Sequence, residues 1–132
     1  FDPAWLDKRS SLFTRAVLRL VPAAGIASQR RANYRKLQAA LAGLPGGRPL
    51  SDSLPDGACP WVFPWLADDP ERVFARLQAG GVPVTRFAHG TDSAGCGASA
   101  ELSQRVLGLP CHQELSRGEL DHMITIIQKA LA

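Results

Sequence analysis

His112 is the residue of this sequence with the clearest capacity for chemistry. It lies in Leu109-Pro110-Cys111-His112, directly before a predicted helix, and loops in such places often carry binding side chains. An imidazole can donate a hydrogen bond to a sugar hydroxyl or a phosphate near neutral pH. The alternative is a structural histidine that only hydrogen-bonds a backbone carbonyl, and the sequence leaves both interpretations open.

The other reactive side chains form no catalytic pattern. Cys59, Cys96 and Cys111 are widely spaced, unlike the close pairs of zinc sites, and their odd number argues against a disulfide framework. We therefore expect no metal site and a reducing, cytoplasmic location. Adjacent Cys111 and His112 point to opposite sides of an extended segment, which argues against a nucleophilic dyad. Arg86 either meets a substrate anion or pairs with a neighbouring carboxylate.

Established enzyme motifs are missing from the sequence. It has no phosphate-binding glycine loop, no serine-hydrolase elbow and no metalloprotease motif. His89, beside Gly90, and His122, in the last predicted helix, are expected at the surface. We therefore expect no catalytic residue on this chain by itself.

Length and charge bound the remaining possibilities. The 132 residues, 45% hydrophobic and 20% charged, fit one globular domain without a membrane span. The chain begins with Phe1 and not Met, which favours a fragment or a processed chain. Eight of its 15 basic residues but only two of its 12 acidic residues lie within residues 1–36. Because no helix-turn-helix or aromatic stacking pattern accompanies this charge, we expect no nucleic-acid partner.

Apolar spacing and capping residues predict the secondary structure. Asp69 before Pro70 and the box Ser116-x-x-Glu119 mark two helix starts. The predicted helices cover 4–21, 28–42, about 70–79, 100–107 and the end of the chain from Ser116, and the predicted strands cover 61–66 and 82–87. We expect a long loop over 43–60 and a mobile glycine-rich segment over 88–98.

The predicted strand at 61–66 carries two further expectations. Trp61, Phe63 and Trp65 alternate with smaller residues, so they share one face, which we expect to be core. Pro64 lacks an amide donor and favours an edge position or a bulge. Together, the elements predict an α/β two-layer sandwich with a small, mostly antiparallel sheet covered by helices.

Four segments in register resemble a known family. They are Arg30-Arg31-Ala32-Asn33-Tyr34, Cys59-Pro60-Trp61-Val62-Phe63-Pro64, the run from Asp69 through Leu77 to Gly81-Val82-Pro83-Val84, and Leu109 to Ser116. In this order they resemble the C-terminal small domain of DegT/StrS-type sugar aminotransferases, which are pyridoxal-phosphate enzymes of the aspartate aminotransferase fold. The resemblance divides the chain into an inter-domain helix and linker at 1–25 and the small domain at 26–132.

The resemblance implies a parent enzyme that transfers an amino group to a keto sugar, often linked to a nucleotide. Such an enzyme is expected to be a homodimer and to bind pyridoxal phosphate in a large domain that these residues do not include. Lys8, Lys36 and Lys129 are predicted surface residues, so this chain alone should bind no cofactor. By resemblance, His112 approaches substrate, with Arg86 as a second candidate.

Two other interpretations stay open. The chain could be a non-catalytic α/β module for binding or oligomerisation. It could also be a peripheral membrane element that uses the basic amphipathic helix at 4–21.

Overall fold

A four-stranded antiparallel sheet with helices packed against it forms the fold. The structure, a computed structural model, describes residues 3, 8–86 and 97–132. The strands are β1 (Gly47–Pro49), β2 (Val62–Ala67), β3 (Thr85–Arg86) and β4 (Val106–Pro110), in the spatial order β1-β2-β4-β3. The helices are α1 (Leu12–Leu20), α2 (Ala23–Leu41), α3 (Pro70–Ala79), α4 (Gly97–Arg105) and α5 (Arg117–Leu131). The predicted α/β sandwich with an antiparallel sheet is confirmed.

Two helices begin where their capping residues predicted. The Asp69 side chain accepts a hydrogen bond from the backbone N–H of Arg72, and Pro70 begins α3. At α5, the Ser116 side chain accepts from the N–H of Glu119, while the Glu119 carboxylate accepts from the N–H of Ser116. These bonds satisfy amides that would otherwise lack a partner in the first helical turn.

The first two helices differ from prediction. Ser11 caps α1, which therefore starts at Leu12 and not at residue 4, and residues 4–7 lie outside the described part of the chain. The second helix starts at Ala23, directly after Pro22, so the predicted start at Ser28 is wrong. The proposed boundary between 25 and 26 lies in the first turn of α2, and the division into two units stays a prediction.

An apolar face of α1 is exposed to solvent. Its residues Leu12, Phe13 and Leu20 are 82%, 78% and 83% exposed, and no residue of α1 is buried. Within the described chain, no helix is both long and apolar enough to cross a membrane.

The sheet contains two strands that the sequence did not predict. The segment β1 lies within the predicted loop over 43–60 and pairs with the end of β2. The central strand β4 lies partly in the predicted helix over 100–107, which ends at Arg105 instead. Of the strand predicted at 82–87, the described residues form only β3, and residue 87 lies outside them. Of the predicted glycine-rich segment, residues 88–96 also lie outside the described chain, and residues 97–98 begin α4.

Pro64 lies in an inner strand, so its predicted edge position is wrong. Pairing of β2 with β4 continues along the strand without a bulge. The carbonyl oxygen of Pro64 accepts a hydrogen bond from the N–H of Leu50 at 3.0 Å. Leu50 directly follows the end of β1 at Pro49, so the backbone N and O of Pro64 point toward the β1 side of β2 and not toward β4. The absent amide therefore removes no hydrogen bond to β4.

One face of the sheet meets α2, α3 and α5 in a shared core. Phe63 and Trp65 of β2 pair with Leu109 and Leu107 of β4, and all four side chains are buried on this face. The predicted apolar face of α5 is also buried, through Leu120, Met123, Ile124, Ile127 and Leu131. Alternation along the strands leaves a second face, opposite α2, α3 and α5.

Candidate functional site

A groove of about 220 Å3 lies on the second face of the sheet, where it is open to solvent. Residues of α2, β2, β3, β4 and the segment after β4 contribute to it. The polar or aromatic side chains among them are Arg30, Trp61, Thr85 and His112. The remaining lining is small or apolar, through Val62, Pro83, Gly108 and Pro110. The groove therefore combines a few hydrogen-bond donors with an apolar floor, as ligand sites commonly do.

The floor of the groove follows from strand pairing. Val62 of β2 lies opposite Pro110 of β4, and Gly108 of β4 lies opposite Thr85 of β3. The hydroxyl of Thr85 donates to the carbonyl oxygen of Gly108 at 3.4 Å. Because these residues alternate with the core residues of the same strands, all four present their side chains or Cα atoms to the groove face.

Arg30 brings a fixed positive charge to the groove. Its Nε donates to Oε1 of Gln113 at 2.6 Å, and Nη1 donates to the carbonyl oxygen of Pro60 at 3.5 Å. A guanidinium stays charged at every physiological pH and offers five N–H donors. Donors that these two contacts leave over can serve an anion or a hydroxyl in the groove.

Asn33, one helical turn after Arg30, holds the backbone around His112. Its Nδ2 donates to the carbonyl oxygen of His112 at 2.9 Å and lies 3.5 Å from that of Cys111. Its Oδ1 accepts from Nε2 of Gln29 at 3.1 Å, which orients the amide. Asn33 is 3% exposed and is the one buried polar side chain within the described residues.

The His112 side chain itself is half-buried and lines the groove. A purely structural histidine would donate a hydrogen bond from its imidazole to a backbone carbonyl. Within the described residues, the imidazole of His112 makes no such bond. Hydrogen bonds from the Ser116 side chain and backbone hold the pKa of Glu119 below its usual range, and His112 adds a smaller effect of the same sign.

Arg86 forms the ion pair that the sequence left open. Its Nη1 and Nη2 donate to the two carboxylate oxygens of Glu71 at 2.7 and 2.9 Å. The guanidinium also lies 4.3 Å from the centre of the Phe74 ring. These contacts attach β3 to α3, and the groove lining does not include Arg86. A role near substrate therefore stays a prediction for this residue.

The described cysteines do not form a reactive pair with His112. Burial raises the pKa of Cys111 to about 11, so its thiol is neutral at physiological pH and a poor nucleophile. Cys59 is exposed, and both thiols are free. Cys96 and His89 lie outside the described residues, while His122 is exposed as predicted. Within the described part of the chain, no group of three potential ligands could hold a metal ion.

The described residues do not fit pyridoxal phosphate as a cofactor site of their own. Lysine supplies the amine that binds this cofactor covalently, and no lysine lines the groove. Lys36 pairs instead with Asp121, and Lys8 and Lys129 are exposed. The groove can accept a ligand, but it lacks the group that would anchor this cofactor.

Three features of the site escaped sequence reasoning. Trp61 was expected in the core with Phe63 and Trp65, which are indeed buried, but it precedes β2 and is 70% exposed. The sequence marks Arg30 and Asn33 only as part of the segment 30–34 that resembles the family, not as site residues, although their spacing of three placed them on one face of a helix. Their contacts with residues 111–113 lie about 80 positions away along the chain.

Comparison with known proteins gives a consistent structural relationship. Neither a protein-family model nor a curated protein sequence matches the chain. Solved structures of sugar aminotransferases do. PseC of Helicobacter pylori, an aminotransferase involved in the biosynthesis of pseudoaminic acid, matches with a TM-score of 0.73 and 15% identity, over 87% of this chain and 35% of that chain.

Two further solved structures support the same relationship. DesV of S. venezuelae, solved in complex with a ketimine intermediate, matches with a TM-score of 0.72 and 21% identity, over 85% of this chain and 33% of that chain. A DegT DnrJ EryC1 StrS aminotransferase of Brucella abortus matches with a TM-score of 0.66 and 23% identity, over 81% and 31%.

These matches confirm the predicted resemblance to DegT/StrS-type sugar aminotransferases at the level of the fold. The chain spans about a third of the length of the solved structures that it matches.

Proposed function

We propose that the chain is the C-terminal small domain of a pyridoxal-phosphate-dependent aminotransferase that acts on a keto sugar linked to a nucleotide. The observation that carries the proposal is the shared fold with sugar aminotransferases over at least 81% of this chain. The groove adds support, since His112 lies in it, on the loop that the sequence resemblance assigns to substrate.

The role of this chain in the reaction is binding. The imidazole of His112 donates a hydrogen bond to a sugar hydroxyl or a phosphate, and Arg30 supplies positive charge to the same groove. The cofactor supplies the amino-transfer chemistry and belongs to the large domain of the parent, because the groove offers no lysine. These residues alone therefore have no transaminase activity.

The proposal also names partners and a location. The first partner is the large domain of the same parent chain. This chain covers only about a third of each matched structure, which supports a further domain in the parent. The second is another copy of the parent, as a homodimer. Free thiols at Cys59 and Cys111 agree with a reducing, cytoplasmic environment.

The decisive experiment uses the complete reading frame that contains this chain. The proposal expects it to encode a lysine-bearing domain before residue 1. The purified product should retain pyridoxal phosphate, form a borohydride-stable adduct on one lysine, and transfer an amino group from glutamate to a nucleotide-linked keto sugar. The 132-residue chain is the matched control and should give no such adduct.

A different result would favour the second interpretation, a non-catalytic module for binding or oligomerisation. The exposed apolar face of α1 is the observation that favours such a module. A stoichiometric adduct on Lys8, Lys36 or Lys129 of the short chain would contradict the assignment of the cofactor to another domain. A complete protein without a lysine-bearing domain and without amino transfer would overturn the proposal.

A further inference from the structure

Two polar side chains in the first half of α2, those of Arg30 and Asn33, contact the segment that follows β4. Gln29, Arg30 and Asn33 lie on one face of the helix, because positions three and four apart are neighbours on a helical surface. Arg30 binds the side chain of Gln113, and Asn33 binds the backbone of His112. The two contacts lie on either side of His112, and neither hydrogen bond involves its imidazole.

Asn33 differs from the other polar residues of the described chain in being buried. A buried amide without partners is strongly unfavourable, so such a residue must satisfy its own groups. Asn33 does so entirely through Gln29 and the two carbonyls at Cys111 and His112. An apolar residue would fill the same core position without needing these hydrogen bonds. We therefore attribute the presence of an amide at this position to the loop that it holds.

The carbonyl of His112 also accepts from the N–H of Leu115 at 3.3 Å. Two donors therefore fix this peptide group, one from α2 and one from the turn that leads into α5. With the backbone fixed on both sides, the imidazole has only its own side-chain rotations left. Its place in the groove thus depends on residues that make no hydrogen bond with the imidazole.

We propose that Asn33 is a positioning residue for His112, and that its amide, supported by the Arg30–Gln113 contact, holds the imidazole in the groove. The catalytic consequence of this placement rests on the proposed function. The placement itself is a property of the 132-residue chain and can be tested without any activity, so the two proposals can fail separately.

The test measures how fast diethyl pyrocarbonate modifies each histidine, resolved by mass spectrometry of the peptides. In the unsubstituted 132-residue chain, half-buried His112 should react more slowly than exposed His122. One neutral hydrogen bond corresponds to about a fivefold change in an equilibrium constant. Asn33→Ala should therefore raise the modification rate at His112 about fivefold and leave the rate at His122 unchanged. Nuclear Overhauser contacts between the His112 ring and the groove should weaken in the same variant.

Two control variants separate positioning from general loss of stability. Gln128→Ala removes a comparable bond, from a side-chain amide to the carbonyl oxygen of Ala40 at 3.0 Å, away from the loop. Ile127→Val weakens the core at a fully buried site. Neither should change the rate at His112. A rate that rises in either control by as much as in Asn33→Ala would overturn the proposal.

A second variant covers the case in which Asn33→Ala does not fold. Gln113→Ala removes the bond from Arg30 at a half-buried position, without opening a cavity in the core. A faster reaction at His112 alone supports the proposal. A folded Asn33→Ala or Gln113→Ala chain with an unchanged His112 rate and unchanged ring contacts shows that α2 does not position the imidazole.

Discussion

Replacement of His112 by glutamine separates a binding role from a structural one. The imidazole is half-buried and makes no hydrogen bond within the described residues, while the contact with Asn33 uses the backbone carbonyl, which every substitution retains. We therefore expect the free energy of unfolding to change by no more than about 0.5 kcal/mol, as for a surface substitution. A histidine that satisfied a buried partner would instead cost about 1–3 kcal/mol.

The effect on activity should be much larger. Loss of one hydrogen bond to substrate costs about 1 kcal/mol if both groups are neutral and about 3 kcal/mol if one is charged. These values correspond to a decrease in kcat/KM of about fivefold to about 150-fold. The assay measures amino transfer and thermal unfolding of the complete protein, with activity expressed per folded molecule.

His122→Gln is the matched control, because His122 is an exposed histidine on α5 outside the groove. It should change neither kcat/KM nor the midpoint of unfolding. A His112→Gln protein that is clearly destabilised but fully active would refute our reasoning, since it would assign the imidazole to stability alone.

Other predictions concern the fold and its reactive groups. Gly47→Ala should lower the midpoint of thermal unfolding, because an added Cβ would lie 2.3 Å from a backbone oxygen of β2; an equally stable variant would contradict this close approach. Iodoacetamide should alkylate exposed Cys59 much faster than Cys111, whose pKa is raised by burial to about 11; equal rates would show that Cys111 is accessible. Ser116→Ala should cost about 1 kcal/mol in denaturant titrations at neutral pH. Because hydrogen bonds to Ser116 lower the pKa of Glu119 in the folded state, stability from Glu119 is present above its unfolded pKa and is lost as pH falls through its folded pKa, so the effect of Ser116→Ala should shrink in acid. Deletion of α1 and the residues before it should reduce self-association in light scattering, because its apolar face is exposed; monomers before and after deletion would contradict this.

Local signals made the helices that depend on them predictable. Asp69 before Pro70, and Ser116 three residues before Glu119, determine hydrogen bonds within a single turn, so their effect can be predicted without the rest of the fold. By contrast, β4 contains Gly108 and Pro110, which locally favour a loop. It forms a strand because β2 and β3 pair with it on both sides, and this pairing depends on tertiary contacts.

The same difference applies to the groove. His112 could be selected from its own loop, because its residue type and its place before a capped helix are local facts. Arg30 and Asn33 could not, because their role depends on a contact with residues about 80 positions later. Trp61 was assigned to the core from strand alternation, but β2 begins one residue after it, so the alternation does not apply.

The pairing of β2 with β4 has a consequence for the rate of folding. Leu66 pairs with Val106, so the centre of the sheet cannot form until the chain has closed a long loop that contains α3, β3 and α4. Closing such a loop carries an entropic cost before any strand contact offsets it, and sheets built from distant segments therefore fold more slowly than helical bundles of the same size. The capped helices α3 and α5 can form early from local contacts, whereas the groove can exist only after β2 and β4 have paired.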